Sequence, residues 1–388
     1  MSYPRPTPYY WLSIYYGAYF FAFGVYLPFW SVWLAWLGLS ADDIGIVLGA
    51  GVMARFVVNL TLTPRFHLPE HLLPAIRWLS FLATVIGFLH LMATPDLLWL
   101  TALSIAINSV IGPSIPVSDA LANHYNRRKL IDYGRARLWG SLAFVVGSMM
   151  AGTLVERFGP PIIVPLAAGA LLLTWCWSLS SPQQLPAKEE TQAMVRTPLL
   201  QVLRVKSVLV FLATVSFIQG SHAAYYAFSA IHWTQAGVSD VMVGYLWSFG
   251  VVVEVMMFAL AAKLFGNWQV QSLFRLAALA VILRWCLTGW STDLGVLFAA
   301  QSLHGLTFGV AHIAAMRYIQ QQASDKIMAL QALYSAIPMG VIMALLTVVS
   351  GELYEQLSGD SFYAMALLGL PVLLLTLKTD TAGEAVRS

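Results

Sequence analysis

Apolar runs long enough to cross a bilayer follow one another along almost the whole chain, and no other feature limits the fold as much. They fall near residues 9–37, 43–63, 72–92, 96–121, 135–156 and 161–180, then 207–235, 241–263, 270–290, 294–319, 325–350 and 361–377. A spanning helix uses about 20 apolar residues. In hydrocarbon every backbone polar group must be satisfied within the protein, which leaves helices and closed barrels. These runs are too long and too uniformly apolar for barrel strands, which alternate over about ten residues. The expected fold class is therefore an all-α polytopic membrane protein with twelve transmembrane helices. Only 10% of the 388 residues are charged, against about 25% in soluble domains. A chain so poor in charge is not a soluble enzyme, a disordered polymer or a nucleic-acid binder. The first residues lack a basic region with a cleavage site, so the first run reads as a retained helix rather than a signal peptide.

One polar stretch, 181–206, interrupts the series and carries Lys188, Glu189, Glu190, Arg196 and Arg204. It reads as a cytoplasmic linker between an N-terminal six-helix bundle (1–180) and a C-terminal six-helix bundle (207–388). An offset of 199 residues brings Gly38-Leu39-Ser40 onto Gly237-Val238-Ser239. It also brings Tyr26 onto Tyr225, Gly45 onto Gly244, Gly51 onto Gly250, and Gly152-x-Leu154-x-Glu156 onto Gly351-x-Leu353-x-Glu355. Several ungapped matches at one offset predict two parallel, pseudo-symmetric repeats, the plan of major facilitator transporters.

Charge sets the expected orientation. With the N-terminus in the cytoplasm, that side collects Arg5, Arg65, Arg127, Arg128, Lys129, Arg135, Arg137, the linker cations, Lys263, Lys326, Lys378 and Arg387. The other side keeps Arg157 among Asp42, Asp43, Asp96, Asp240, Asp293, Glu352 and Asp360. The positive-inside rule then places both termini in the cytoplasm.

Three ionisable residues lie far from any loop: Arg55, Glu254 and Arg284. Each costs about 2.5–3.5 kcal/mol at mid-bilayer on insertion scales, so each is expected to serve a purpose. Arg55 and Glu254 fall on the same repeat position. A carboxyl out of water favours its protonated form and a guanidinium beside it favours the ionised form. Glu254 is therefore the candidate proton carrier, the plainer reading being a static ion pair that holds helices together. Arg284 and Arg55 stay charged and either pair with Glu254 or bind an anionic substrate. His222, His304 and His312 could relay a proton, bond a substrate, or simply pack. Asn108, Gln219 and Gln301 could line a cavity or tie helices together. Asp119, near the end of the fourth run, with Arg135 and Arg137 could form a cytoplasmic gate or a solvated cluster. Tyr15, Tyr19, Phe23, Tyr26, Trp30 and Trp33 recur at helical spacing on one face of the first run. Tyr19 and Phe23 lie too deep for an interfacial belt and suit either packing or a flat apolar substrate. Cys176 and Cys286 sit in apolar runs with no ligand spacing, so no metal or cofactor is expected.

The stretch Tyr133-Gly134-Arg135-Ala136-Arg137-Leu138-Trp139-Gly140-Ser141 resembles the signature of the phenylpropionate permease group of the major facilitator superfamily. Gly38 to Gly45 fits it too, as do chain length and motif order. The resemblance implies the major facilitator fold and a proton symporter that alternates access to a cavity lined by spans 1, 4, 7 and 10. It implies a small aromatic carboxylate such as 3-phenylpropionate as substrate, imported with a proton across a bacterial inner membrane. The expected partners are that acid, the proton and the bilayer, with no nucleic acid, and the chain is expected to be monomeric. The group is related to lactose permease, which this chain resembles in an acid on span 8 (Glu254), an Arg on span 9 (Arg284) and His on span 10 (His304 or His312). It differs in having no acid after those histidines, and in the loop Thr63-Pro64-Arg65-Phe66-His67, which lacks the acidic-glycine motif of the superfamily. A sugar or nucleoside symporter and a drug/proton exporter of the same fold are the alternatives. An embedded enzyme would need a nucleophile, base or metal constellation, and the sequence offers none.

Overall fold

The computed structural model describes residues 5–66, 68–186 and 198–377. His67, the linker residues Lys188, Glu189, Glu190 and Arg196, and the terminal Lys378 and Arg387 lie outside the described residues. Among those described, the secondary structure is helical. Spans 1 to 6 are Pro8–Trp36, Ala41–Thr61, Pro69–Leu89, Leu97–Arg127, Tyr133–Phe158 and Ile163–Ser178. Span 7 is two helices, Lys206–Gly220 and Ala223–Gln235; span 8 is Asp240–Phe265 and span 9 is Val270–Trp290. Span 10 runs from Leu294–Ser302 through a π-helical stretch, Gly305–Val310, into Ala311–Gln320. Span 11 does the same through Ser324–Ala336, the π-helical Ile337–Ile342 and Met343–Leu357, and span 12 is Ser361–Leu367 with Gly369–Leu374. Among the described residues, eleven stretches are long and apolar enough to cross a membrane. The last of them, Ser324–Leu374, has 51 residues, about 77 Å of helix, and the chain breaks within it at Ser358, where φ is 50°. Divided there, it accounts for spans 11 and 12, which gives twelve spans among the described residues.

Helix ends follow the local chemistry. Asp96, Asp132 and Asp293 cap spans 4, 5 and 10 by accepting backbone N–H bonds from Trp99, Arg135 and Gly295. The repeat is visible in matched ends. Span 1 closes on Gly38 (φ 94°) and span 7 on Gly237 (φ 88°). In both, the next residue's N–H reaches back to the carbonyl five residues earlier, Leu39 to Leu34 and Val238 to Trp233. That is the glycine-terminated helix stop, which needs a residue at home in the left-handed region. Ser40 and Ser239 then cap the following helices through Asp43 and Met242. Two expected boundaries move: span 11 runs on from 350 to Leu357, and span 4 continues to Arg127, so Asp119 sits two turns inside it rather than near its end.

The described chain groups into two compact units, Met1–Gln192 with Ser229–Ser248, and Ala193–Phe228 with Phe249–Ser388. In the first, span 1 packs on spans 5 and 6, span 2 on span 4, and span 3 on spans 4 and 6. Small residues permit the closest approaches, because lipid supplies no hydrophobic force between helices and contact depends on fit. Gly24 lies against the backbone of Phe144, and Gly147 against that of Phe21. Gly152 and Gly244 do the same where span 5 meets the start of span 8, and there Ser148 Oγ donates to the Gly244 carbonyl. In the second unit, span 9 packs on spans 10 and 12, and the first helix of span 7 packs on the π-helical part of span 11.

Gly147→Val should place its new side chain on the Phe21 carbonyl and destabilise the protein by about 1–3 kcal/mol, read as a lowered melting temperature in detergent. Gly17→Ala, which meets nothing within 4 Å, should leave that temperature unchanged.

Candidate functional site

Arg284 is fully buried in the second unit, at 0% exposure. A guanidinium has five N–H donors and no acceptor, so everything facing it must accept. Its Nη1 donates to His304 Nδ1 (2.8 Å) and Thr307 Oγ1 (2.9 Å), and its Nη2 to Gln301 Oε1 (2.8 Å). The guanidinium carbon stands 4.7 Å from the Tyr225 ring centre and 4.4 Å from that of Trp285, which adds cation–π attraction. Gln301 Nε2 in turn donates to the Tyr225 hydroxyl (2.9 Å).

This donor-only neighbour dictates the histidine. His304 Nδ1 must accept from Arg284, which puts the ring proton on Nε2. That atom lies 3.3 Å from Glu254 Oε2. The result is a directed chain, Arg284 to His304 to Glu254, joining spans 9, 10 and 8. His222 belongs to the same cluster. Span 7 breaks at its ring: the His222 N–H bonds to the Gln219 carbonyl, three residues back. Its Nδ1 lies 3.1 Å from the Ile218 carbonyl and 3.2 Å from the Gln219 carbonyl, so it donates there. Its Nε2 is then an acceptor, 3.1 Å from Thr307 Oγ1. Thr307 thus links His222 to Arg284.

The backbone builds this arrangement. The wider π-helical turn from Gly305 to Val310 carries Thr307 just after His304, a kind of local irregularity frequent at functional sites. Gly305 and Gly309 lie against Val253 and Met257, so spans 8 and 10 approach closely enough for Glu254 to meet His304. Gln219 is fully buried, and its side-chain amide has neither a donor nor an acceptor partner among the described residues.

The first unit holds a smaller cluster. Arg55 Nη2 donates to Asn108 Oδ1 (2.8 Å), and Asn108 Nδ2 donates to the Tyr26 hydroxyl (3.1 Å) and the Ser104 carbonyl (2.9 Å). Arg55 is half-buried, and its guanidinium carbon is 5.7 Å from the Phe23 ring centre. The span 1 rings form a continuous column from Trp11 through Tyr15, Tyr19, Phe20, Phe23, Tyr26 and Trp30 to Trp33. Tyr19, Phe23, Tyr26, Trp30 and His90 line an apolar crevice of about 30 Å³, well below the roughly 150 Å³ that holds a benzene ring.

Asp119 accepts from the Tyr16 hydroxyl (2.7 Å) and lies 4.0 Å from Arg137 Nε. The Arg137 guanidinium sits 4.0 Å over the Phe20 ring. The side chain of Arg135 is exposed. Among the described residues, no three His, Cys, Asp or Glu side chains converge to hold a metal ion.

The structure therefore brings Glu254, Arg284, His304, Gln301 and His222 together in one unit, and Arg55, Asn108, Tyr19 and Phe23 near one another in the other. Thr307, Tyr225 and Tyr26 were not singled out as site residues from sequence. The repeat offset carries the signal for all three. Tyr26 and Tyr225 match at that offset, and so do Asn108 and Thr307, the partners of the two arginines.

A family model described as "MFS_1 like family" matches residues 9–365. The chain is 41% identical over 365 residues to the "Probable 3-phenylpropionic acid transporter" of Escherichia coli (strain K12), covering 94% of this chain and 96% of that protein. It is 27% identical to the "Maltose permease" of Geobacillus stearothermophilus, covering 96% and 95%. Among solved structures it resembles the nucleoside transporter NupG, with a TM-score of 0.81 at 14% identity over 94% of this chain and 97% of that one. A bacterial homologue of the human lysosomal transporter Spinster gives 0.68 at 12% identity, covering 95% and 96%.

Gln301→Leu should leave Arg284 Nη2 buried without its acceptor and lower unfolding stability by about 1–3 kcal/mol, measured by thermal denaturation in detergent. Ser302→Ala, at an exposed neighbouring position, should change it by less than about 0.5 kcal/mol.

Proposed function

The chain belongs to the MFS_1 like family, a transporter rather than an enzyme, and from that premise we propose that it imports a small aromatic carboxylate such as 3-phenylpropionate together with a proton. The observation that carries this reading is the chain from Arg284 through His304 to Glu254. It ends in the Glu254 carboxylate, 3.3 Å from His304 Nε2, whose N–H bond to it is strongest while it is ionised. Protonating Glu254 removes its negative charge and turns a charge-assisted bond from His304 into a weaker neutral one, so proton occupancy changes how firmly spans 8, 9 and 10 are tied.

The two arginines then divide the work. Arg284 is fully buried, with both terminal nitrogens committed to neighbours, and serves the proton site with His304. Arg55 is half-buried, uses only Nη2, and stands among Tyr19, Phe23, Tyr26 and Asn108. It suits the substrate carboxylate, for which guanidinium offers a two-pronged partner, while the crevice between the rings would have to widen before an aromatic body could stack there. Gln219, His222 and Gln301 complete the polar lining expected of the cavity. The 41% likeness to a probable 3-phenylpropionic acid transporter supports the substrate class.

In this reading the two repeats, 1–180 and 207–388 joined by the linker 181–206, alternate access across a bacterial inner membrane, with both termini in the cytoplasm and the chain acting as a monomer. Asp119 and Arg137, braced by Tyr16, act as the cytoplasmic gate, and Arg135 contributes charge at its rim. Substrate and proton enter together and leave together, so the proton gradient drives uptake.

Proteoliposomes given an inside-alkaline gradient should accumulate labelled 3-phenylpropionate, with cinnamate competing and maltose, lactose and uridine not. Arg55→Gln should weaken apparent substrate affinity at least 10-fold, the loss of about 1.4 kcal/mol or more. Uptake indifferent to the gradient, or competition by the sugars instead of cinnamate, would refute the proposal.

A further inference from the structure

Where span 3 begins and span 6 ends, the two helices of the first unit part and leave a groove. Deeper in the membrane they are closed: Thr84 Oγ1 donates to the Leu171 carbonyl (3.0 Å), and Gly87 lies against Ala168 and Leu171. Nearer the edge, Pro74, Arg77, Trp78 and Phe81 of span 3 and Trp175 and Leu179 at the end of span 6 line a space of about 430 Å³. That volume is in the range of small-molecule sites. Positions 74, 77, 78 and 81 share one helix face. Trp78, Phe81 and Trp175 form a continuous row of rings, with Phe81 5.9 Å from Trp78 and 5.1 Å from Trp175 between centres. Trp78 is 65% exposed and Leu179 54%, so the groove opens outward, to the side that lipid covers in a membrane transporter.

The charged lining residue is Arg77, which is half-buried. Its Nε donates to the Ser178 carbonyl (3.0 Å), and its Nη2 to the Leu179 and Ser180 carbonyls (3.3 and 3.1 Å) and to Ser181 Oγ (2.9 Å). Those carbonyls are the negative end of span 6, and the guanidinium covers them. Nη1 takes part in none of these bonds, which leaves its two N–H groups for another acceptor. The turn that Arg77 holds is tied from the other side by the N-terminal segment. Trp11 Nε1 donates to Ser180 Oγ (3.0 Å), and the Gln183 N–H donates to the Pro6 carbonyl (2.9 Å). This brings the exposed Arg5 to the same turn as a second cation. The nearest acid on span 3 is Glu70, about 10 Å of helix before Arg77 and outside the groove lining.

We propose that this groove binds an anionic phospholipid of the surrounding bilayer, of the phosphatidylglycerol type. Its phosphodiester accepts from Arg77 Nη1, and one acyl chain lies along Trp78, Phe81 and Trp175. Basic pockets between helices at the membrane surface favour such headgroups, and tryptophan rings settle at headgroup depth. A free phosphate meets the guanidinium but leaves the rings bare. An uncharged lipid covers the rings but brings no anion to Nη1. The ammonium of phosphatidylethanolamine meets the two cations, Arg5 and Arg77. The bound lipid ties the start of span 3 to the end of span 6, and the site stands whichever substrate the transporter carries.

The test uses full-length protein purified in detergent and stripped of lipid. It is titrated with phosphatidylglycerol, phosphatidylethanolamine, diacylglycerol of the same chains and glycerol 3-phosphate, and bound molecules are counted by native mass spectrometry. Phosphatidylglycerol should bind wild type about 10-fold more tightly than each of the other three. Arg77→Gln removes the cation. Leu179→Trp fills the groove and leaves the backbone carbonyls that Arg77 covers. Each should weaken phosphatidylglycerol binding about 10-fold. Leu283→Trp, at an exposed position of span 9, should leave it unchanged. Wild-type binding in Leu179→Trp would overturn the site, even if Arg77→Gln, without its cap on span 6, fails to fold. Glycerol 3-phosphate bound as tightly as the lipid would reduce the site to a phosphate contact and overturn the proposal. Phosphatidylethanolamine bound as tightly would remove the preference for an anion and overturn it too. So would an equal loss in Leu283→Trp, the mark of a non-specific lipid layer.

Discussion

The complete burial of the Arg284 guanidinium governs the chemistry of the second unit. A charge left unpaired in a dry interior costs several kcal/mol, and here the two terminal nitrogens find three neutral acceptors and the guanidinium two aromatic faces, while Nε has no hydrogen-bond partner among the described residues. Those acceptors come from span 10, and the rings from spans 7 and 9. Meeting that demand explains features that would otherwise look like defects. Span 10 relaxes into a π-helical turn to present both His304 and Thr307. Gly305 and Gly309 hold no side chain because spans 8 and 10 must close on each other there. Span 7 breaks at Ser221–His222, which lets the imidazole take carbonyls that a continuous helix would have used.

Duplication offers a second view of the same constraint. At equivalent positions the first repeat has Tyr26, Arg55 and Asn108, and the second has Tyr225, Glu254 and Thr307. The scaffold is shared down to the glycine beside each cluster, Gly51 against Asn108 and Gly250 beside Gln301 and His304. What changed is the sign and the accessibility of the charge. One copy keeps a half-buried cation among rings, suited to an anion that comes and goes. The other holds an acid answered by a buried cation through a histidine, suited to a proton. Opposite charges on one scaffold give each repeat a distinct task in the proposed cycle.

Much of the fold was legible in the sequence because hydrocarbon leaves the backbone few options. Apolar runs predicted the spans to within a few residues except at the ends of spans 4 and 11, and Gly38 and Gly237 marked the matched helix ends. The three deep charges could likewise be found by their cost. Their division of labour was not legible. Nothing in the composition says that Arg284 is sealed and Arg55 half-open, since that depends on which neighbours turn towards each. The continuation of span 4 past residue 121 escaped because Arg127 reads as a loop cation until the helix is seen to carry it. Thr307 escaped for a different reason: a threonine in an apolar run has no signature until its hydroxyl is found between an arginine and a histidine.

The central claim is that Glu254 takes up and releases the transported proton. Its most direct test is to compare Glu254→Gln with wild type in one preparation, measuring counterflow and gradient-driven accumulation of 3-phenylpropionate. The glutamine keeps the shape and a hydrogen-bond acceptor for His304 but cannot exchange a proton. Counterflow should persist while accumulation above equilibrium disappears. Accumulation that survives in Glu254→Gln would contradict the claim and move the proton to another residue.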